Sequence, residues 1–307
     1  MNATEAMQAE IEYQVQDLQK LDLPSFVNDC LFAGSGDSYV AGLAAQYFSG
    51  SQAICCYPID IIKNPLLVKG RNLFIVSISG NTKANILAAK IARKHRVNNT
   101  IALTARPSSR LAKACDQTIE LKYRSTGIIA AGTISFTVSM IECISLVTKL
   151  RLPADIGKIY RQTEKHAKQV ISEIDGKSGS YLILGNGQLY PIAMYGALKF
   201  NEVFGARAVA YPAEEFCHSP LFSIKETDQA IVIGDDSRKL SKRLNQEGFS
   251  SVHVGFKSTG IELLLRSTFF MQLLVLKLAQ KYGLTSCYFL KNKKLLRLSS
   301  DFIYGYG

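Results

Sequence analysis

The sequence lacks the features that mark several common protein classes. It contains no tryptophan, and its seven cysteines include no CxxC pair. An odd cysteine number without that spacing argues against a disulfide framework and a zinc cluster, and it favours a reducing cytosol. The N-terminus shows no basic segment followed by an apolar run, so we expect no signal peptide and predict a cytoplasmic protein.

Acidic residues are fewer than basic ones. Lys and Arg total 36 against 25 Asp and Glu, a formal net charge of +11. This excess suits an anionic ligand. An RNA-binding protein would need basic strands rich in aromatic residues, which we do not find, so we expect no nucleic-acid partner. With 47% hydrophobic and 20% charged residues, the chain is predicted to fold into about two packed domains.

Long hydrophobic runs are also scarce. The stretch 127–147 has the length of a membrane span and carries only one charge, Glu142. Polar residues such as Thr133 and Thr137 dilute its apolarity, so we predict a helix buried between packed layers and no membrane association. The other apolar stretch, 261–279, is interrupted by Arg266 and Lys277 and is typical of an amphipathic or buried helix.

Short β-branched runs alternate with helical stretches in both halves of the chain. In each half, a predicted helix is followed by a strand, a glycine-containing loop and another helix. The end of the strand and the loop are residues 31–36 (LFAGSG) in the first half and 182–187 (LILGNG) in the second. This alternation predicts an α/β protein with two tandem, doubly wound, parallel-sheet domains of flavodoxin-like type, an N-terminal helix and an irregular C-terminal tail. The predicted segments are 1–22 for the helix, 23–152 and 153–285 for the two domains, and 286–307 for the tail.

Two loops of the first domain are suited to binding phosphate. Residues 34–38 (GSGDS) and 77–82 (SISGNT) each follow a predicted strand and precede a predicted helix. A helix N-terminus offers unpaired N–H groups, small residues let an anion approach, and hydroxyls add donors. Both loops should lie at the carboxyl ends of strands, where open α/β sheets bind ligands.

These motifs resemble a known family. The SISGNT loop resembles the SxSGxT phosphate loop of the sugar isomerase (SIS) domain, and 36–39 (GDSY) resembles its GTSY element. Residues 7–14 (MQAEIEYQ), 190–199 (YPIAMYGALK) and 214–220 (EEFCHSP) are similar to motifs in the isomerase half of glucosamine-6-phosphate synthases and in archaeal glucosamine-6-phosphate deaminases. The resemblance spans nearly the whole chain and implies two SIS domains.

The resemblance implies a role for individual residues. Glu202 would be the base that moves a proton between C1 and C2 of a sugar, which requires a partly buried carboxylate. His218 would open the sugar ring and would reach in from a neighbouring subunit, which implies a homodimer. The phosphate would bind to Ser38, Ser77, Ser79 and Thr82. Further substrate contacts would come from Gly36, Ile78, Gly80, Ala130, Thr133 and Glu215.

The sequence also departs from the synthase pattern. Gly127, Gly132 and Ile134 replace the acid, the serine and the lysine of its sugar-contacting loop. In the tail, Arg297 stands where the synthase carries an active-site lysine, and an arginine cannot form a Schiff base. An alternative register would put Lys293 or Lys294 at that place. These changes leave the identity of the sugar and the nitrogen chemistry open.

We therefore predict an isomerase for hexose 6-phosphates that works through an enediol or enolamine. The favoured reaction interconverts glucosamine 6-phosphate and fructose 6-phosphate, because residues 190–199 and 214–220 resemble this branch of the family more than others. The ammonia would be free, because the sequence begins at the isomerase helix and no glutaminase is expected unless a separate subunit supplies it. A plain glucose- or mannose-6-phosphate isomerase and a non-catalytic phosphosugar-binding regulator are the alternatives. We expect a phosphosugar ligand, no metal and no nucleotide cofactor.

Overall fold

The structure is a computed structural model, and it describes residues 1–174 and 179–305. The chain divides into two compact units, each built from segments that are distant in sequence. We call them by their sheets. The five-stranded unit comprises Lys20–Tyr123, Ile134–Arg151 and Asn292–Gly307. The four-stranded unit comprises Met1–Gln19, Arg124–Thr133 and Leu152–Lys291.

Both sheets are parallel throughout the described residues, as predicted. The strands of the first sheet are β1 (Cys30–Ala33), β2 (Ile54–Cys56), β3 (Asn72–Val76), β4 (Asn99–Thr104) and β5 (Gln117–Glu120). Those of the second are β6 (Ser180–Gly185), β7 (Arg207–Tyr211), β8 (Gln229–Ile233) and β9 (Ser250–Val254). The strand orders are β2-β1-β3-β4-β5 and β7-β6-β8-β9, so both sheets begin with the same doubly wound pattern.

Helices precede, connect and follow these strands, with short 3₁₀ turns at several junctions. They are α1 (Ala3–Asp17), α2 (Asp37–Phe48), α3 (Pro58–Lys63), α4 (Lys83–Ala92), α5 (Arg110–Ala114), α6 (Ile134–Val147), α7 (Ile156–Val170), α8 (Tyr190–Phe204), α9 (Ala213–Phe216), α10 (Arg238–Gln246), α11 (Gly260–Lys281), α12 (Tyr288–Lys291) and α13 (Lys293–Tyr304).

The sheet of the five-stranded unit is covered on both faces. On one face, Leu31 and Ile75 pack in an apolar core that includes Ala88 and Ala89 of α4. On the other face, α2 packs against β1, and a Cβ at Gly42 would lie 2.7 Å from the Phe32 Cβ. The glycine therefore permits the close approach of the helix to the strand.

The apolar stretch 127–147, which has the length of a membrane span, forms the buried helix α6, as predicted. The helix begins at Ile134 rather than at Gly127. Glu142 is 3% exposed within it. Across the described ranges, no helix combines the length and apolarity that crossing a bilayer would need.

In the four-stranded unit, α1 packs on α11 and α7. The helix begins with a capping box in which the Asn2 side chain accepts a hydrogen bond from the Glu5 N–H. Its inner face buries Met7 and Ile11, and Gln14 Nε2 donates to Gln272 Oε1 at 2.8 Å. The N-terminal helix is thus packed as an integral part of the four-stranded unit.

The C-terminal tail corrects one prediction. We expected an irregular tail, but the described part of it forms α12 and α13. Asn292 is the N-cap residue of the second of these helices, and its side-chain oxygen accepts a hydrogen bond from the Leu295 N–H at 3.2 Å. Apolar residues recur at helical spacing in α13, yet Leu298 and Phe302 are 67% and 88% exposed.

Candidate anion site and candidate proton-transfer groups

The first of the two predicted phosphate loops joins β1 to α2. A Cβ at Gly34 would lie 2.7 Å from the Ser38 carbonyl carbon, so only glycine lets the chain turn this tightly. Gly36 is the N-cap residue of α2, with φ +57°. Ser38 lies in the first turn of that helix and is partly buried.

The second loop joins β3 to α4 and is fixed by its neighbours. The Ile78 carbonyl accepts hydrogen bonds from the Ala105 N–H at 3.3 Å and from the Thr104 hydroxyl at 3.1 Å. The Gly80 carbonyl accepts one from the Leu111 N–H at 2.9 Å. Gly80 has φ +61°, and a Cβ there would overlap the Ser109 hydroxyl. The loop therefore depends on glycine at this position.

The hydroxyls of the second loop surround the N-terminus of α4. Ser77 is 4% exposed, whereas Ser79 and Thr82 are partly buried. Thr82 is the N-cap residue, and its side chain makes no capping hydrogen bond. Because β1 and β3 are adjacent parallel strands, both loops lie at the same edge of the sheet. The N–H groups, the helix dipole and the hydroxyls there are suited to holding an anion.

Glu202 lies on α8 beside a buried lysine. Its Oε2 is 2.6 Å from Lys199 Nζ, and the exposed fractions of the two side chains are 35% and 1%. The ammonium is also 5.2 Å from the centre of the Tyr195 ring. The buried cation fixes one carboxylate oxygen of Glu202 and leaves the side chain accessible to solvent. We did not single out Lys199 from the sequence, although its place between Leu198 and Phe200, three residues before Glu202, is a usable signal.

His218 follows the short helix α9 and is exposed. Its Nε2 is 3.0 Å from Glu214 Oε1. The hydrogen bond to Glu214, and then the charges of Glu214 and Glu215, raise the pKa of His218 above its ordinary value. The ligand atoms of these three exposed residues lie within 4.8 Å of one another, a spacing that a cation could bridge.

The segment that carries Ala130 and Thr133 is tied to α1. Glu10 is 9% exposed and accepts hydrogen bonds from the Ser125 hydroxyl and the Thr126 N–H, both at 3.1 Å. It also accepts one from the Thr133 hydroxyl at 3.4 Å. Thr133 is therefore buried and bonded within the four-stranded unit, whereas Ala130 is partly exposed.

Arg297 lies in the middle of α13 with its side chain exposed. The predicted residues thus fall into two groups. The phosphate-loop residues and Arg297 belong to the five-stranded unit, and Ala130, Thr133, Glu202, Glu215 and His218 belong to the four-stranded unit.

Two doubly wound parallel sheets, one with an edge suited to holding an anion, define the class of protein. The SIS domain pattern matches residues 28–149 and 176–250, which is more than half of the chain. The chain belongs to the SIS domain family.

Curated relatives are aminotransferases by name. The chain is 27% identical over 230 residues to a glutamine–fructose-6-phosphate aminotransferase (isomerizing) of Buchnera aphidicola, covering 67% of this chain and 37% of that protein. It is 28% identical over 214 residues to the protein of that name from Sulfolobus acidocaldarius, covering 66% and 36%. The chain therefore spans less than two fifths of the length of these two relatives.

Solved structures share the fold. A glucosamine-6-phosphate deaminase from Thermotoga maritima superposes with a TM-score of 0.73 at 21% identity, covering 92% of this chain and 93% of that one. A tagatose-6-phosphate ketose/aldose isomerase from Escherichia coli gives a TM-score of 0.68 at 16% identity and covers 92% of each chain.

Proposed function

We propose that this protein is an isomerase of hexose 6-phosphates. The observation that carries the proposal is the pairing of Glu202 with the buried Lys199, because it holds a solvent-accessible carboxylate in a fixed position on a rigid helix. A base for aldose–ketose chemistry must be held in this way, and a phosphosugar-binding regulator has no need of one. Membership in the SIS family and the anion-binding edge of the first sheet support the same class of ligand.

Each group has a role in the proposed mechanism. Ser38, Ser77, Ser79 and Thr82 bind the phosphate, with the N–H groups at the start of α4. Glu202 removes the proton from one of the two carbons C1 and C2 and returns it to the other through an enediol or enolamine. His218, whose pKa is raised by Glu214, donates a proton during ring opening and acts in a homodimer on the substrate of the neighbouring subunit. The enzyme works in the cytoplasm.

For the substrate, we propose glucosamine 6-phosphate and fructose 6-phosphate, interconverted with free ammonia. The names of the curated relatives and of the Thermotoga maritima structure support an amino sugar. Gly36, Ile78, Gly80, Ala130, Thr133 and Glu215 complete the proposed substrate contacts.

A plain aldose–ketose isomerase is the second candidate. Arg297 favours it, because a guanidinium cannot form a Schiff base with the sugar carbonyl. The exposed position of Arg297 on α13 is also unlike the enclosed setting in which an imine is protected from water. The name of the Escherichia coli neighbour supports the same reaction class.

Proton NMR in D₂O tests both candidates. The protein is incubated separately with glucosamine 6-phosphate, fructose 6-phosphate, glucose 6-phosphate and mannose 6-phosphate, deuterium entry at C1 or C2 is followed, and ammonia is assayed. Exchange on glucosamine 6-phosphate with ammonia release supports the deaminase, and exchange confined to the hexose phosphates without an amino group supports the plain isomerase. No exchange with any of the four contradicts the proposal.

The variant Glu202→Gln is the control for the base. We expect its exchange rate to fall by about 10²–10⁴-fold, the usual contribution of a general base. Because the substitution leaves the Lys199 charge buried without its carboxylate, thermal unfolding must show that the variant is folded at the assay temperature. A folded variant with the wild-type exchange rate would exclude Glu202 as the base.

A further inference from the structure

The last turn of α8 carries Glu202, the base of the proposed mechanism. The helix ends at Phe204, and Gly205 follows it in the left-handed region with φ +65°. The Gly205 N–H donates to the Asn201 carbonyl at 3.1 Å. The final carbonyls of a helix lack partners within the helix, so its last turn is weakly held. A base in such a turn keeps its place only if further contacts hold the turn.

The side chain of Asn201 ties this turn to β7, the strand that follows the helix. Its Oδ1 accepts a hydrogen bond from the Ala208 N–H at 2.9 Å, and its Nδ2 donates to the Ala208 carbonyl at 3.2 Å. Because β7 is an edge strand of the described sheet, the amide uses hydrogen-bonding positions that a further strand would otherwise occupy. Two bonds from one planar amide fix both the distance and the orientation of the helix end relative to the strand.

The same arrangement occurs at the opposite edge of the sheet. Asn245, in the last turn of α10, makes the same pair of hydrogen bonds to Ser251 of the edge strand β9, both at 2.8 Å. Both asparagines are exposed, and both strand residues are buried. The two-bond amide is thus a structural feature that this sheet uses twice. Glu202 directly follows Asn201, whereas no residue of α10 is assigned to the proposed reaction.

Glu202 needs an anchor outside its own helix. Lys199 Nζ is 2.6 Å from Glu202 Oε2 and fixes the carboxylate relative to the helix. Lys199 also belongs to α8, however, so this ion pair moves with the helix and cannot fix the position of the helix itself. The Asn201 amide supplies that second constraint, because it bonds to a different element. A displacement of about 1 Å at a reacting group can slow a reaction roughly a hundredfold.

We propose that Asn201 is a positioning residue for the base. It holds the last turn of α8 against β7, and the backbone of that turn in turn places Glu202 at the carbons of the sugar. The inference rests on the proposed isomerase function and adds a residue to it. Asn201 acts through the backbone and takes no part in the proton transfer.

Deuterium exchange at C1 or C2 tests the proposal, with whichever of the four hexose 6-phosphates the wild type exchanges. Asn201→Ala should lower kcat for exchange by about 10- to 100-fold, because the base is less well placed. The variant should leave KM essentially unchanged, because the loops proposed to bind the phosphate belong to the five-stranded unit. A loss confined to KM would contradict the proposed role.

Asn245→Ala is the matched control, since it removes the same two bonds from the other edge of the sheet. Both variants should lower the melting temperature by a similar amount, but Asn245→Ala should keep the wild-type kcat. Equal kcat values in two equally stable variants would show that the Asn201 amide is only structural. That result would overturn the inference and leave the isomerase proposal intact.

Amide hydrogen exchange of the substrate-free protein, followed by mass spectrometry, gives a readout that does not depend on catalysis. Asn201→Ala should speed exchange in residues 202–208, and Asn245→Ala should do so in residues 246–251. Unchanged exchange in residues 202–208 would overturn the inference, because the amide would then not hold the turn. If the wild type exchanges none of the four sugars, the isomerase proposal fails, and Asn201 has no base to position.

Discussion

The buried carboxylate of Glu142 should make the stability of the five-stranded unit depend on pH. Glu142 lies in α6 with 3% of its surface exposed, and its Oε2 has no hydrogen-bond partner among the residues the structure describes. Burial raises the pKa of this group from 4.5 to about 8, against a smaller opposing effect of Lys122. Glu142 is therefore protonated in the folded protein at neutral pH.

The direction and the size of the effect follow from linkage. Since the folded pKa exceeds the unfolded one, the stability associated with the proton is fully present below about pH 4.5 and is lost as the pH rises to about 8. The difference of 8 − 4.5 = 3.5 units, at 1.36 kcal/mol per unit, sets an upper value of about 5 kcal/mol. Glu142→Gln keeps the shape of the side chain and removes the titration. The variant should match the wild type near pH 4.5 and exceed it by several kcal/mol at pH 8 and above.

Urea unfolding followed by circular dichroism between pH 4.5 and 8.5 measures this difference. Glu120→Gln, which removes an exposed carboxylate of β5 in the same unit, is the matched control and should show little pH-dependent gain. A Glu142→Gln variant whose advantage over the wild type is the same at every pH would refute the reasoning, because the free energy would then not come from the proton.

Three further predictions concern the candidate sites. Gly80→Ala should cost about 1–3 kcal/mol of stability and weaken phosphate binding measured by calorimetry, because φ is positive there and a Cβ would overlap a neighbouring hydroxyl; unchanged phosphate affinity would argue against the loop as the anion site. Lys199→Met should slow deuterium exchange on the order of a hundredfold by releasing Glu202, and a wild-type rate would show that the pair does not position the base. Glu214→Gln should lower the pKa of His218 toward its ordinary value in an NMR titration, and an unmoved titration would show that the hydrogen bond is absent in solution.

Much of the fold could be predicted because its signals are local. The glycine-containing loops predicted around 31–36 and 182–187 follow β1 and β6, as the alternation of strands and helices indicated. The helices α3 and α5 escaped notice because five or six residues are too few to show a helical period. The tail was expected to be irregular, but the apolar residues of α13 recur at helical spacing among its basic residues, which is the pattern of an amphipathic helix.

The candidate site also has residues that local sequence signals reveal and residues that they do not. The hydroxyls of Ser79 and Thr82 lie in one contiguous motif, which the sequence displays directly. The sequence shows Lys199 three residues before Glu202, a spacing that places both on one helix face, but it does not show that the lysine is buried against the carboxylate.

The two sheets show why a shared topology does not determine a shared ligand. Both halves begin with the same strand order, and both place a glycine where the first strand leads into the following loop, Gly34 after β1 and Gly185 at the end of β6. At both glycines an added Cβ would lie within 3 Å of the backbone carbonyl of a residue four positions later. This backbone turn is common to the halves because it comes from the fold, whereas the residues after the third strand are free to differ. Hydroxyls follow β3 in the first sheet, whereas the carboxylates of Asp235 and Asp236 follow β8 in the second, so the loop that is suited to an anion in one half has no counterpart in the other.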